Sequence, residues 1–291
     1  MITRFAPSPT GPLHLGHALS AICAHDMARA AGGRFLLRIE DIDRQRSKRE
    51  WEEAILHDLA WLGLTWDAPP MRQSDRMAAY DAALGDLWDR DLLYPCVCSR
   101  RDIVEALGAP QEGVEPVHGP DGPIYPGTCH PVSWAARGSR DGHHLRLSVR
   151  NVLRLLDGNA PPTFQETGLP GTGPVVTPWA DYATTIGDIV LARRDFGTSY
   201  HLSVVLDDAA QGVTHVVRGV DLFDATRIHV LLQRLLGLPT PTYHHHALMR
   251  DGQGKRLAKR DDARSIASYR AAGWTPEALR DHLTRSLVAP D

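Results

Sequence analysis

Two histidines, His14 and His17, bracket Leu15-Gly16 directly after a run broken by Pro7, Pro9, Gly11 and Pro12. A strand that turns abruptly into a helix leaves backbone N–H groups at the helix start, where an anion is favoured. Gly16 keeps that backbone bare, so a phosphate can approach closely. A second candidate lies late in the chain, where the polar loop Asp251-Gly252-Gln253-Gly254 leads into Lys255-Arg256-Leu257-Ala258-Lys259-Arg260. Imidazole donors at His14 and His17, with the compact charge of Lys259, suit charge build-up at a phosphorus atom undergoing displacement. Either segment alone is as readily a solvated surface; both together, each following a strand, point to one phosphate-handling site.

The four cysteines divide. Cys23 shares an apolar helix face with Leu19, Ile22 and Met27 and reads as a core thiol. Cys96, Cys98 and Cys129 read as metal ligands rather than disulfide partners. Three thiolates and one further donor make a closed tetrahedral zinc site, and spacing alone nominates His130 or His118 as the fourth.

These residues need a scaffold that brings distant segments together. The 291 residues are 43% hydrophobic and 23% charged, enough for one large or two modest domains. A net charge of −3 confines any nucleic-acid surface to a local patch. No apolar run is long enough to span a bilayer and the start has no signal pattern, so a cytoplasmic protein is expected. Ile2 to Phe5 predicts a strand, Ala18 to Ala31 a helix stopped by Gly32-Gly33, and Arg34 to Ile39 a second strand, together a right-handed parallel crossover. Ser47-Lys48-Arg49-Glu50 has the form of a capping box. From Tyr94 to about Pro178 prolines and glycines become dense, which predicts an inserted subdomain. Gly187 to Leu191 predicts a return to the αβ pattern, and Thr275-Pro276 opens a last helix. The expected units are 1–93 and 187–250 as two halves of one catalytic domain, 94–186 as the insertion, and 251–291 as a loop with short helices.

Phe5-Ala6-Pro7-Ser8-Pro9-Thr10-Gly11 with His14-Leu15-Gly16-His17 resembles the "HIGH" signature of class I aminoacyl-tRNA synthetases in its glutamyl form. The likeness continues in Leu37 to Arg44, Gln73 to Arg76, Tyr94 to Arg100 and Val213 to Gly219. Arg256-Leu257-Ala258-Lys259-Arg260 resembles the "KMSKS" loop, with Ala258 in place of the usual serine. The resemblance implies an α/β fold: a Rossmann-like doubly wound parallel sheet with an inserted zinc-containing subdomain and a short helical C-terminus. It implies a ligase that joins L-glutamate to the α-phosphate of ATP, with Mg2+. His14, His17 and Lys259 would be catalytic, and with Gly16 would bind ATP. A dicarboxylic substrate needs cationic partners and an acceptor for its ammonium group; Arg4 and Arg218 fit the first need and Glu40 the second. By resemblance Ala6, Ser8 and Tyr200 complete the glutamate pocket, and the zinc set is Cys96, Cys98, Tyr125 and Cys129, with His130 in reserve. Only about thirty residues follow the lysine loop, so no anticodon-binding region is expected. That resembles the short, stand-alone branch of the family, which activates glutamate without tRNA and attaches it to the queuosine base of tRNA(Asp), here expected as a monomer. The alternatives are a conventional glutamyl-tRNA synthetase acting on the acceptor end, and an inactive zinc-containing RNA-binding paralogue. Lys48-Arg49 and Arg193-Arg194 are either RNA-phosphate contacts or solvated charge.

Overall fold

The computed structural model describes residues 1–108, 118–168, 171–249 and 264–288, with side chains described to residue 284. In chain order the first part holds β1 (Ile2–Phe5), α1 (Leu15–Ala30), β2 (Arg34–Ile39), α2 (Arg49–Trp61), β3 (Met71–Arg72) and α3 (Met77–Asp89). Next come β4 (Leu93–Cys96), α4 (Arg100–Gly108), the hairpin strands β5 (His118–Gly119) and β6 (Gly122–Pro123), β7 (His144–Leu147) and α5 (Val149–Leu155). They are followed by β8 (Thr163–Glu166), β9 (Gly173–Val176), α6 (Trp179–Asp181) running into a π-helical turn at Tyr182–Ile186, β10 (Ile189–Ala192) and α7 (Tyr200–Ala210). The chain continues with β11 (His215–Gly219), α8 (Ala225–Leu235), β12 (Thr242–His246), α9 (Ile266–Ala271) and α10 (Pro276–Val288).

The expected parallel crossover is present: β1 and β2 pair in parallel, Ile2 opposite Arg34 and Phe5 opposite Leu37, and β3 extends them. Phe35 to Ile39 are all buried, as in a strand covered on both faces, with Arg38 the one charged member. β11 and β12 form a second parallel pair, which β8 joins. The two groups meet where β1 runs beside β11, tied by Thr214 N donating to Ile2 O at 2.9 Å.

The sheets are mixed rather than wholly parallel. β9 pairs antiparallel with β8, and β4, β7 and β10 form a separate antiparallel sheet in the order β10-β7-β4. β10, expected to resume the parallel pattern, therefore packs with β7 and β4, while β8, from the expected insertion, joins β12. An apolar run announces a strand without announcing its partner's direction.

One apolar core gathers α1, β1, β2 and α2 and takes in Ile266, Tyr269, Leu279 and Leu283 from the last two helices. A second lies between α3, the antiparallel sheet, α7 and α8. α2 starts one residue later than the capping-box pattern implied. Lys48 is its N-cap with no side-chain cap bond, and the Ser47 hydroxyl is buried without a partner among the described residues. The backbone explains the shift: Ser47 N is tied to Asp43 O at 2.9 Å and Lys48 N to Pro9 O at 3.0 Å, so Ser47 closes the preceding loop.

Candidate active site

A cavity of about 480 Å3 opens at the carboxyl ends of β1, β2, β11 and β12, over the seam between β1 and β11. This is where an open α/β sheet places its ligand. Its lining includes Arg4, Ala6, Ser8, His14, Gly16, His17, Glu40, Tyr200 and Arg218, so nine residues nominated from the sequence converge on one site. Lys259, with its loop, lies outside the described residues.

α1 begins at the edge of this cavity. His14 is its N-cap: His14 Nδ1 accepts from Gly16 N at 3.1 Å, and His17 Nδ1 accepts from His14 N at 3.2 Å. Two imidazoles thus build a reciprocal capping box. The helix start is therefore not the open set of N–H groups read from the sequence; His14 and His17 take up two of them. Because each Nδ1 accepts, a neutral ring carries its proton on Nε2. The rings stack with centroids 3.7 Å apart, which fixes them as a pair.

The two arginines differ in their partners. Arg4 Nε and Nη2 clasp Asp208 at 2.9 and 3.4 Å, and Nη1 reaches Val217 O at 3.4 Å. Arg38, fully buried on β2, also binds Asp208 at 2.6 Å, and Glu40 at 3.1 Å. Burial opposes the charge on Asp208, but Arg4 and Arg38 outweigh it and hold the carboxyl at about 2. Burial lifts Glu40 above its ordinary range against the pull of Arg38 and Arg4.

Among the described residues Arg218 has no carboxylate partner. Nε donates to His245 Nε2 at 3.2 Å, Nη1 to His229 Nδ1 at 3.1 Å, and Nη2 to Thr226 Oγ1 at 2.7 Å and Leu222 O at 3.2 Å. A guanidinium that is 6% exposed and has neutral acceptors around it can pair with an anionic ligand. Compensation comes at one remove: His245 Nδ1 lies 2.5 Å from Glu166 Oε2, both side chains fully buried. Tyr200 opens α7 behind its Ser199 cap and sets its ring edge-on to His229.

Away from the cavity, Cys96, Cys98 and Cys129 bring their sulfurs within 4.8 Å of one another. The Tyr125 hydroxyl lies 3.5 Å from Cys96 Sγ and 3.4 Å from Cys98 Sγ, and Cys129 N donates to it at 2.7 Å. Tetrahedral zinc thiolates stand roughly 3.8 Å apart, so this donor set fits the ion. His130 instead bonds Ser148 Oγ at 3.1 Å. Arg146 lies against the group, Nε 3.2 Å from Cys96 Sγ and its guanidinium 3.8 Å from the Tyr125 ring centroid.

A family model described as tRNA synthetases class I (E and Q), catalytic domain, matches residues 1–124 and 168–291. The chain belongs to that family. As a class I synthetase it is a ligase with the family's α/β catalytic fold, in a form with mixed sheets. It is 61% identical to a protein of Rhodobacter capsulatus named glutamyl-Q tRNA(Asp) synthetase, over 96% of this chain and 98% of that one. It is 42% identical to a protein of the same name from Symbiobacterium thermophilum, over 96% and 84%. Among solved structures, a glutamate tRNA ligase from Elizabethkingia meningosepticum matches with a TM-score of 0.72 and 26% identity. The match covers 97% of this synthetase but only 60% of that ligase.

The groups that hold the synthetase's arginines carry little signal in the sequence. Asp208 and Asp207 offered one signal, two acids inside an otherwise apolar helix. Asp207 is fully buried and takes Tyr80 Oη at 2.8 Å, Gln73 Nε2 at 3.0 Å and Arg76 Nε at 3.2 Å. Arg38, Glu166, His229 and His245 gave no such signal. Cys23 is half-buried, and burial raises its thiol to about 11, which agrees with a packing role. No described helix is long and apolar enough to cross a membrane.

Proposed function

We propose that the chain activates L-glutamate with ATP, without tRNA, and transfers it to the queuosine base of tRNA(Asp). The observation that carries this is Arg218: a buried cation with only neutral partners among the described residues, facing a cavity rimmed by His14 and His17. In this reading Arg218 and Arg4 receive the carboxylates of glutamate and Glu40 its ammonium group, with Ala6, Ser8 and Tyr200 closing the pocket. A glutamate carboxylate oxygen attacks the α-phosphorus of ATP, the bond to the β-phosphate oxygen breaks, and pyrophosphate leaves. The Nε2–H groups of His14 and His17, with Lys259, stabilise the charge that builds on the phosphate oxygens. ATP enters with Mg2+, held over Gly16. A queuosine hydroxyl then attacks the glutamyl carbonyl, and AMP leaves.

The name shared by the Rhodobacter and Symbiobacterium relatives supports this acceptor. Glutamate-dependent exchange of pyrophosphate into ATP, with no tRNA present, tests the first step. The second predicts glutamylation of tRNA(Asp) only when queuosine is present, abolished by periodate cleavage of the queuosine diol and indifferent to the terminal adenosine hydroxyls. Glutamylation of tRNA(Glu) instead would assign conventional acceptor-end chemistry. Zinc at Cys96, Cys98, Tyr125 and Cys129 has a structural role here, stapling a segment that packs only a small core around Tyr94. Metal analysis should find one zinc per chain.

A further inference from the structure

Behind Arg218 a line of polar contacts, two hydrogen bonds and then an imidazole–carboxylate contact, leaves the cavity and ends on the inserted hairpin. His229 Nδ1 accepts from Arg218, His229 Nε2 lies 3.1 Å from His201 Nδ1, and His201 Nε2 lies 3.4 Å from Asp121 Oδ1. The proton positions follow from the two ends. A guanidinium only donates, so His229 Nδ1 is bare and its single proton sits on Nε2. That proton points to His201 Nδ1, which leaves the His201 proton on Nε2, the nitrogen beside the Asp121 carboxylate. Burial and the Arg218 charge keep His229 neutral. The line therefore has one direction, from cation to anion.

Asp121 lies in the turn between β5 and β6, its side chain 52% exposed, whereas His201, His229 and Arg218 are buried. The hairpin is seated without slack. A Cβ on Gly119 would fall 2.4 Å from Thr185 O, and one on Gly187, at φ +70°, would fall 2.7 Å from Ile124 Cγ2. The hairpin thus stands at a set distance from the Tyr182–Ile186 turn, and there Asp121 reaches His201.

The bonds to His245, His229, Thr226 and Leu222 engage four of the five guanidinium N–H groups, leaving one on Nη1. The group is planar, so the bond to His229 fixes the direction of that remaining N–H. We propose that Asp121, acting through His201 and His229, is a positioning residue for Arg218, so that docking of the inserted hairpin sets the cavity's affinity for an anionic amino acid. This rests on the glutamate role given to Arg218 above. The parallel line through His245 ends on buried Glu166 and is a fixed anchor; the line to Asp121 ends on a surface turn and is adjustable.

The test uses the full chain. Asp121→Ala should raise the KM for glutamate about three- to tenfold in pyrophosphate exchange, leaving kcat and the KM for ATP unchanged. Asp121→Glu should recover part of the loss, and Gly119→Ala, which lifts the hairpin from its seat, should reproduce it. Nitrogen-15 NMR of the imidazoles should show both His201 and His229 protonated on Nε2, with the His201 signal moving in Asp121→Ala. An unchanged glutamate KM in both Asp121→Ala and Gly119→Ala would overturn the proposal, as would a His229 proton on Nδ1. If the unaltered chain shows no glutamate-dependent exchange, the role of Arg218 fails instead, and the spectra still decide whether the line exists.

Discussion

Arg4 and Arg218 look alike in the sequence, two arginines on neighbouring strands, yet their partners differ, and the cost of losing each should differ with them. Arg4 shares Asp208 with Arg38, so Arg4→Ala removes half of a buried clasp; its loss should lower stability by about 3 kcal/mol, read as a fall in Tm. Arg218→Ala breaks no direct ion pair among the described residues, though it strips hydrogen bonds from buried acceptors. It should lower Tm less than Arg4→Ala while raising the glutamate KM roughly 30-fold or more in pyrophosphate exchange. Equal effects of the two changes on Tm would contradict this division. The arginines were legible because their type and strand positions carry the signal. Asp208, His229 and Glu166 were not, because each acquires its meaning only when strands far apart in the chain come together.

The start of α1 shows how an element can be read correctly in outline and differently in detail. The break from strand to helix at His14 was legible from prolines, glycine and the helical run behind them. That the two histidines themselves cap the helix was not, since imidazole is an uncommon cap. His14→Asn separates the two duties, because asparagine is a good N-cap but offers no Nε2–H. Stability should change by less than about 1 kcal/mol in thermal melts, while the exchange rate falls roughly 100-fold. A parallel loss of both would mean that capping is the only duty of His14. At Ser47 the opposite error occurred: the capping pattern was present, but backbone bonds to Asp43 and Pro9 moved the helix start past it. β10 was legible as a strand, whereas its pairing with β7 depends on a neighbour the local pattern does not name.

Across the whole molecule, buried and half-buried imidazoles make stability depend on acid. Burial and the Arg218 charge depress His245 to about 4, and burial lowers His144, His215, His229 and His246 from their ordinary 6.5. A group depressed in the folded state stabilises it fully above its unfolded value. That contribution is lost as pH falls from about 6.5 through 4, because the unfolded chain binds protons the native one refuses. Glu40 and Asp58, lifted by burial, pull the other way but are outnumbered by these five histidines. Calorimetry between pH 7.5 and 4.5 should therefore show Tm falling by several degrees; a flat profile would mean these rings are protonated in the native state. The clasp of Arg4 and Arg38 on Asp208 also bears on how the chain is made. Arg38 waits 170 residues for that carboxylate and Arg4 waits 204. At about 5–20 residues per second of synthesis, the delay is on the order of ten seconds or more. Until then Arg4 lacks the carboxylate that clasps it and Arg38 has only Glu40, two residues on, so the clasp that joins β1 and β2 to α7 stays open while the first part of the chain is made. The ligand cavity is accordingly among the last parts to assemble, and an arrested nascent chain shorter than about 210 residues should hold no adenylate-forming site.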